Sequence, residues 1–262
     1  MTKLPTVKVP VPDVTVGAYR AVFGRLGSLL ELGWLPLLIL LGVSIVPAVL
    51  PPGFGDNGVV LRAVPDLLDL VAGALCLNAF GVRWYQAQLF GSADHRPWLR
   101  LWGRFLLYTF ALYTALGVVL VAILLAGTVA DDRSVGVEIG VVALDLAAVT
   151  ALLLAMARLS LLYPATAAGQ PIGIGGAWRA TRGNGWRIVL CWLFATAPLL
   201  LGVQIVMGAV FSGFGIGEAT TAPMGLYILR GLIGTVADFL IAALGAVVLS
   251  DVYRRLVPAA GR

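Results

Sequence analysis

The sequence predicts an all-α, polytopic membrane protein of about six transmembrane helices, arranged as helical-hairpin repeats with short interfacial helices on the cytoplasmic face. Three observations carry that expectation. First, the 262 residues are 60% hydrophobic and only 12% charged, with a mean hydropathy of +0.97. A soluble domain is usually about 45–50% apolar and about 25% charged. Second, the excess is laid out as six apolar runs, at 33–50, 67–88, 105–128, 135–157, 188–210 and 230–250. Each reaches the ~18 residues needed to cross a ~30 Å hydrocarbon layer. Third, the segments between the runs alternate in charge.

Taken in order, MTKLPTVKVPVPDV has no apolar stretch after its basic residues, so it reads as a cytoplasmic segment and not as a cleaved signal. The expected layout is a cytoplasmic or interfacial segment at 1–32, a six-helix bundle at 33–257 and a cytoplasmic tail at 258–262. Lys3, Lys8, Arg20 and Arg25 precede span one, and Arg83, Arg96, Arg100 and Arg104 flank the second connection. The fourth connection carries Arg158, Arg179, Arg182 and Arg187, and the tail Arg254, Arg255 and Arg262. Only Arg62, Arg133 and Arg230 fall at the other face, with Asp56, Asp66, Asp131, Asp132, Glu138 and Glu218. Short loops rich in Lys and Arg stay cytoplasmic, so both termini are expected there, in a bacterial inner membrane. Trp84, Trp98, Trp102, Trp178 and Trp186 lie at the basic face, where an amphipathic ring suits the headgroup layer.

Short stretches recur. GAYRA (17–21) is answered by GAWRA (176–180), LLGVSIV (40–46) by LLGVQIV (200–206), and LRAVPDLLD (61–69) more loosely by LRGLIGTVAD (229–238). Each copy would be a surface segment, an inbound span, an outer loop and a return span, with a weaker third copy in the middle. Both clear copies start on the same side, so a pseudo-symmetry axis would run along the membrane normal. GGAWRATRGNGWR (175–187) lacks the Lys-Ser/Thr end of a phosphate loop. It reads as an interfacial anchor whose arginines meet anionic headgroups. Candidate lipid-headgroup or partner contacts are Arg83, Trp84, Arg158, Trp178, Arg179, Arg182, Trp186, Arg187 and Arg254.

Asp69, Asp145 and Asp238 fall inside return spans two, four and six, and form a candidate intramembrane polar site, because an acid at that depth costs a few kcal/mol. Gly231, Gly234, Ala242 and Gly245 share a helix face with Asp238, which predicts a close helix contact there. Asp145 points away from the ladder Ala143, Ala147, Ala151 and Ala155, and is the expected cavity acid. No catalytic constellation is visible: His95 is the one histidine, and neither GxSxG nor HExxH occurs. Cys76 and Cys191 read as buried thiols. No enzyme activity, cofactor, metal or nucleic acid is expected.

At GVRWYQAQLFG (81–91), ARLSLLYPATAAGQ (157–170) and AWRATRGNGWR (177–187) the chain resembles a family of uncharacterised six-span bacterial inner-membrane proteins. It is also distantly similar to the membrane domain fused to some glycerophosphodiester phosphodiesterases. That resemblance implies a six-span fold and lends no activity, since no phosphodiesterase domain is present. The leading expectation is a non-enzymatic scaffold or accessory protein, contacting anionic lipid headgroups, a membrane protein partner or a second copy of itself. The alternative is a transporter of a small polar solute, ion or lipid that uses the intramembrane acids.

Overall fold

Long apolar runs leave the backbone no partner in lipid except itself, so each run closes its hydrogen bonds as a helix. The computed structural model describes residues 8–49, 59–93, 98–128, 135–170, 172–213 and 224–257. Among them the elements are α1 (Val11–Phe23), α2 (Leu26–Val49), α3 (Val59–Phe90), α4 (Trp98–Thr128), α5 (Val135–Leu159), α6 (Leu162–Ala167), α7 (Gly173–Ala180), α8 (Gly185–Gly213) and α9 (Met224–Leu256). Six of these helices are long and apolar enough to cross a membrane. The protein is therefore an all-α polytopic membrane protein. Lys3, Asp56, His95, Arg96, Asp131, Asp132, Arg133, Glu218, Arg262 and the tail 258–262 lie outside the described residues. So do the side chains of Arg62, Asp66 and Glu138.

The helices run well past the apolar windows. α2 starts seven residues before position 33, and α9 continues through Arg254 and Arg255 to Leu256. Hydropathy ends where a charge appears, whereas a helix continues until its backbone is broken or capped. The long helices pack in a ring that follows chain order: α2 on α3, α3 on α4, α4 on α5, α5 on α8, α8 on α9, and α9 back on α2. α3 also packs on α9 across this ring. The short α6, whose Leu162, Pro164, Ala165, Thr166 and Ala167 are all buried, packs against α3, α4 and α9 at the basic end.

α1 is amphipathic, with a proline in its first turn and Asp13 near its positive end. Val14, Ala18 and Val22, four residues apart, are buried against α8 and α9. The Tyr19 hydroxyl donates to the Ala195 carbonyl at 2.8 Å, and burial pushes its phenol above the ordinary value. A second tie fixes the chain just before α1. The buried Val9 N–H donates to Asn184 Oδ1 at 3.1 Å, and Arg187 Nη1 donates to the Val9 carbonyl at 2.9 Å. Asn184 closes a turn whose Gly183 has φ +80°, a conformation that disfavours any side chain there.

Asn184→Ala would strand the buried Val9 N–H at a cost of ~1–3 kcal/mol. The expected result is a lower unfolding temperature in detergent and faster amide exchange confined at first to 9–23. Unchanged exchange in that stretch would mean that the tie contributes nothing.

Candidate functional site

The end of the ring where α2 and α8 finish and α3 and α9 begin encloses a cleft of about 650 Å³. Its walls come from four spans: Leu40 and Ser44 of α2; Pro65, Asp69, Gly73 and Leu77 of α3; Val203, Gln204 and Met207 of α8; and Arg230, Gly231, Gly234, Thr235 and Asp238 of α9. Ser44, Pro65, Met207 and Arg230 form the rim, each five or six residues from the end of its helix. Asp238 lies deeper, fourteen residues into α9, about 21 Å of helix rise.

Helix periodicity explains the grouping. On α9, positions 230, 231, 234, 235 and 238 fall on one face, the i, i+4, i+8 stripe and its neighbours. Small residues on that stripe bring α9 close to α2: a Cβ at Gly231 would lie 3.1 Å from the Ser44 carbonyl oxygen. One turn deeper, a Cβ at Gly234 would meet nothing within 4 Å, and there the stripe borders the cleft. Asp238 is therefore exposed to the cleft. This corrects the expectation of a carboxyl packed in a helix contact, because the stripe's close approach ends above it.

Asp69 is likewise exposed and lines the same cleft. Among the described residues no hydrogen bond or ion pair engages Asp69, Asp238 or Arg230. Asp145 sits partly buried on α5, which contributes nothing to the lining. The three acids of the candidate site are thus divided: two share the cleft and the third stands apart.

Toward the basic end, beneath the residues that line the cleft, lies an aromatic floor. Phe80 and Phe239 meet at a tilt with ring centroids 4.1 Å apart, and Phe80 stacks on Trp84 at 5.9 Å. Gly33 makes room for the Phe239 ring, which any Cβ at that position would overlap. The Trp84 Nε1–H donates to the Ala243 carbonyl at 3.1 Å. Trp84 is completely buried, so its place is in the floor and not among the headgroup contacts expected of it. Its indole N–H finds a backbone acceptor on α9, which lets the whole ring leave the interface. Beside the floor a polar relay joins three helices: Thr109 Oγ1 donates to Asn78 Oδ1 at 2.7 Å and lies 3.0 Å from the Tyr163 hydroxyl.

The basic end keeps other expected contacts at the surface. Trp178 and Trp186 are about half exposed, and Arg179 and Arg182 are exposed. The Arg158 guanidinium sits 4.5 Å from the Trp178 ring centroid, a stacked arrangement that Lys would not reproduce. Arg187 is committed to Val9, Arg254 donates to the Gln88 carbonyl at 3.3 Å, and Arg83 is partly buried. Cys76 and Cys191 are free and buried. Among the described residues no cluster of three or more His, Cys, Asp or Glu side chains exists to hold a metal ion.

Ser44 and Thr235 were not singled out by the sequence, although a signal existed for one of them. LLGVSIV and LLGVQIV differ at one position, and that position is Ser44 in one and Gln204 in the other. Both line the cleft. No family model, no curated protein and no solved structure matches the chain.

Proposed function

We propose that the chain is a transporter of a small polar solute, working from the cleft between its first and last hairpins. The observation that supports this is the lining itself: two carboxylates, a guanidinium, an amide and two hydroxyls drawn from four spans around one cavity. A cavity of this size matches the ~300–1,000 Å³ of small-molecule sites. A scaffold has no need of acids inside spans, where they are expensive to insert. Paired positions of the repeated stretches, Ser44 with Gln204 and Asp69 with Asp238, fit a solute site at the interface between repeats. Reconstitution into proteoliposomes tests the reading directly, through counterflow of polar solutes. Absence of protein-dependent flux across cationic, anionic and zwitterionic solutes would return the chain to the scaffold class.

The excess of Arg and Lys at one face supports a topology with both termini in the cytoplasm and the spans in a bacterial inner membrane. A cysteine at Ser134, outside the described residues, is expected to react with an impermeant thiol reagent in cells whose outer membrane is permeable. A cysteine at Ser92 is expected to stay unlabelled, against a background of buried native thiols. The opposite pattern would invert the topology.

A lipid-contact role stands beside transport, supported by the exposed Trp178, Trp186, Arg179 and Arg182 on one basic segment. Each such cation is worth ~1 kcal/mol at an anionic surface, and salt screens it. The full-length double variant Arg179→Gln/Arg182→Gln should recruit less anionic lipid into mixed nanodiscs than the parent at low salt, with the difference vanishing at high salt. Equal recruitment at both would reduce the segment to a hydrophobic anchor.

A further inference from the structure

The geometry points to an organic solute carrying an ammonium group as the occupant of the cleft, with that ammonium held between Asp69 and Asp238. This rests on the transporter reading and names its substrate class. The charge balance comes first. Two carboxylates and one guanidinium line the cleft, and no cation among the described residues pairs with either acid. Arg230 sits at the rim, two helical turns or about 12 Å of rise from Asp238, beyond the three- and four-residue spacings at which helix side chains pair. The deep end of the cleft therefore offers its two carboxyls no cation from among the described residues.

The neutral groups agree. Thr235 lies one turn from Asp238 on the same wall, is more than nine-tenths buried, and has no hydrogen-bond partner among the described residues. Its hydroxyl is open to the cleft and not sealed in the packing, and its oxygen is an acceptor for an N–H donor. Gln204 and Ser44 add further oxygens to the same cavity. An ammonium group presents three N–H donors and no acceptor, which complements a pair of carboxylates and an unfilled hydroxyl. Size decides between a bare ion and an organic cation. The cleft holds about 650 Å³, roughly twenty times the ~30 Å³ share of one water.

The two acids also close the corresponding stretches LRAVPDLLD and LRGLIGTVAD. Each hairpin thus supplies one carboxylate to a shared cation, the arrangement expected of a site on a pseudo-symmetry axis.

A hydrophobic carbodiimide, which modifies carboxyls in apolar surroundings, tests this on the intact protein in nanodiscs, with modification at Asp69 and Asp238 read by peptide mass. Ethylammonium, glycine and propionate are compared at equal ionic strength, and the unfolding temperature is followed with the same three solutes. A bound solute at about ten times its dissociation constant slows labelling about tenfold. The expected result is that ethylammonium, glycine or both slow the labelling and raise the unfolding temperature, while propionate does neither. Protection by glycine that is lost in Arg230→Gln, with ethylammonium unaffected, would identify a zwitterion whose acid end reaches the rim. Protection by propionate alone overturns the ammonium assignment and leaves the cleft as a solute site. No protection and no thermal shift from any of the three overturns the assignment, and the transporter reading falls separately, if proteoliposomes show no protein-dependent flux at all.

Discussion

Asp238→Asn is expected to cut solute flux in proteoliposomes by about 10–100-fold, as the loss of a charge-assisted contact worth ~1.5–3 kcal/mol implies, while leaving the protein folded. The side chain faces the cleft and makes no hydrogen bond or ion pair among the described residues, so Asn disturbs no packing. What it removes is one of the two carboxyl groups at the deep end. Asp69→Asn should behave alike, since both carboxylates line the same cavity. Asp145→Asn is the internal control and should leave flux within about twofold, because α5 supplies none of the lining. Expression, gel-filtration profile and unfolding temperature should stay at wild-type values for all three. Flux preserved in both Asp69→Asn and Asp238→Asn, with loss in Asp145→Asn, would move the site to another part of the ring.

Trp84→Ala is the substitution expected to damage stability most. Emptying a fully buried aromatic position costs ~3–5 kcal/mol in the cavity and lost contacts. The same change also leaves the Ala243 carbonyl without its donor. Trp84→Phe separates the two terms, since it keeps most of the contact with Phe80 and forfeits only the hydrogen bond, about 1 kcal/mol. Thermal unfolding in a mild detergent should therefore rank wild type above Trp84→Phe and Trp84→Phe well above Trp84→Ala. Equal losses in the two variants would show that the hydrogen bond, and not the ring's volume, holds the floor together. Trp84 stacks on Phe80, which in turn meets the Phe239 ring seated over Gly33. Gly33→Leu should consequently act in the same direction as Trp84→Ala without touching the tryptophan.

The six spans were legible because an apolar run of sufficient length has few fates. Their ends were less legible, as α2 and α9 show, because hydropathy reports where charge begins and a helix can continue into the headgroup layer. The acids were visible one by one as costly residues. Which of them share a cavity depends on which helices become neighbours, and a single helix's periodicity does not contain that. The stripe around Asp238 did indicate a close contact correctly at Gly231. It did not reveal that one turn deeper the same face of α9 borders a cleft. Trp84 went the other way. Its position beside Arg83 matches an interfacial ring, and its burial follows from an acceptor offered by α9, more than 150 residues downstream.

The tie between Val9 and the Asn184–Arg187 turn has a consequence for biosynthesis. The partners are 175 and 178 residues apart, and α1 packs mainly on α8 and α9. When α1 leaves the ribosome, everything it will bury against has yet to be made. It must wait at the membrane surface with Val14, Ala18 and Val22 in the lipid boundary until the last hairpin is threaded. α2 and α3 are also unfinished until then, since both require α9. Closure of such distant contacts is the slow part of assembly. Nascent chains truncated before position 224 should therefore be inserted yet protease-sensitive at 9–23, and protection there should appear only once α9 has been released into the bilayer.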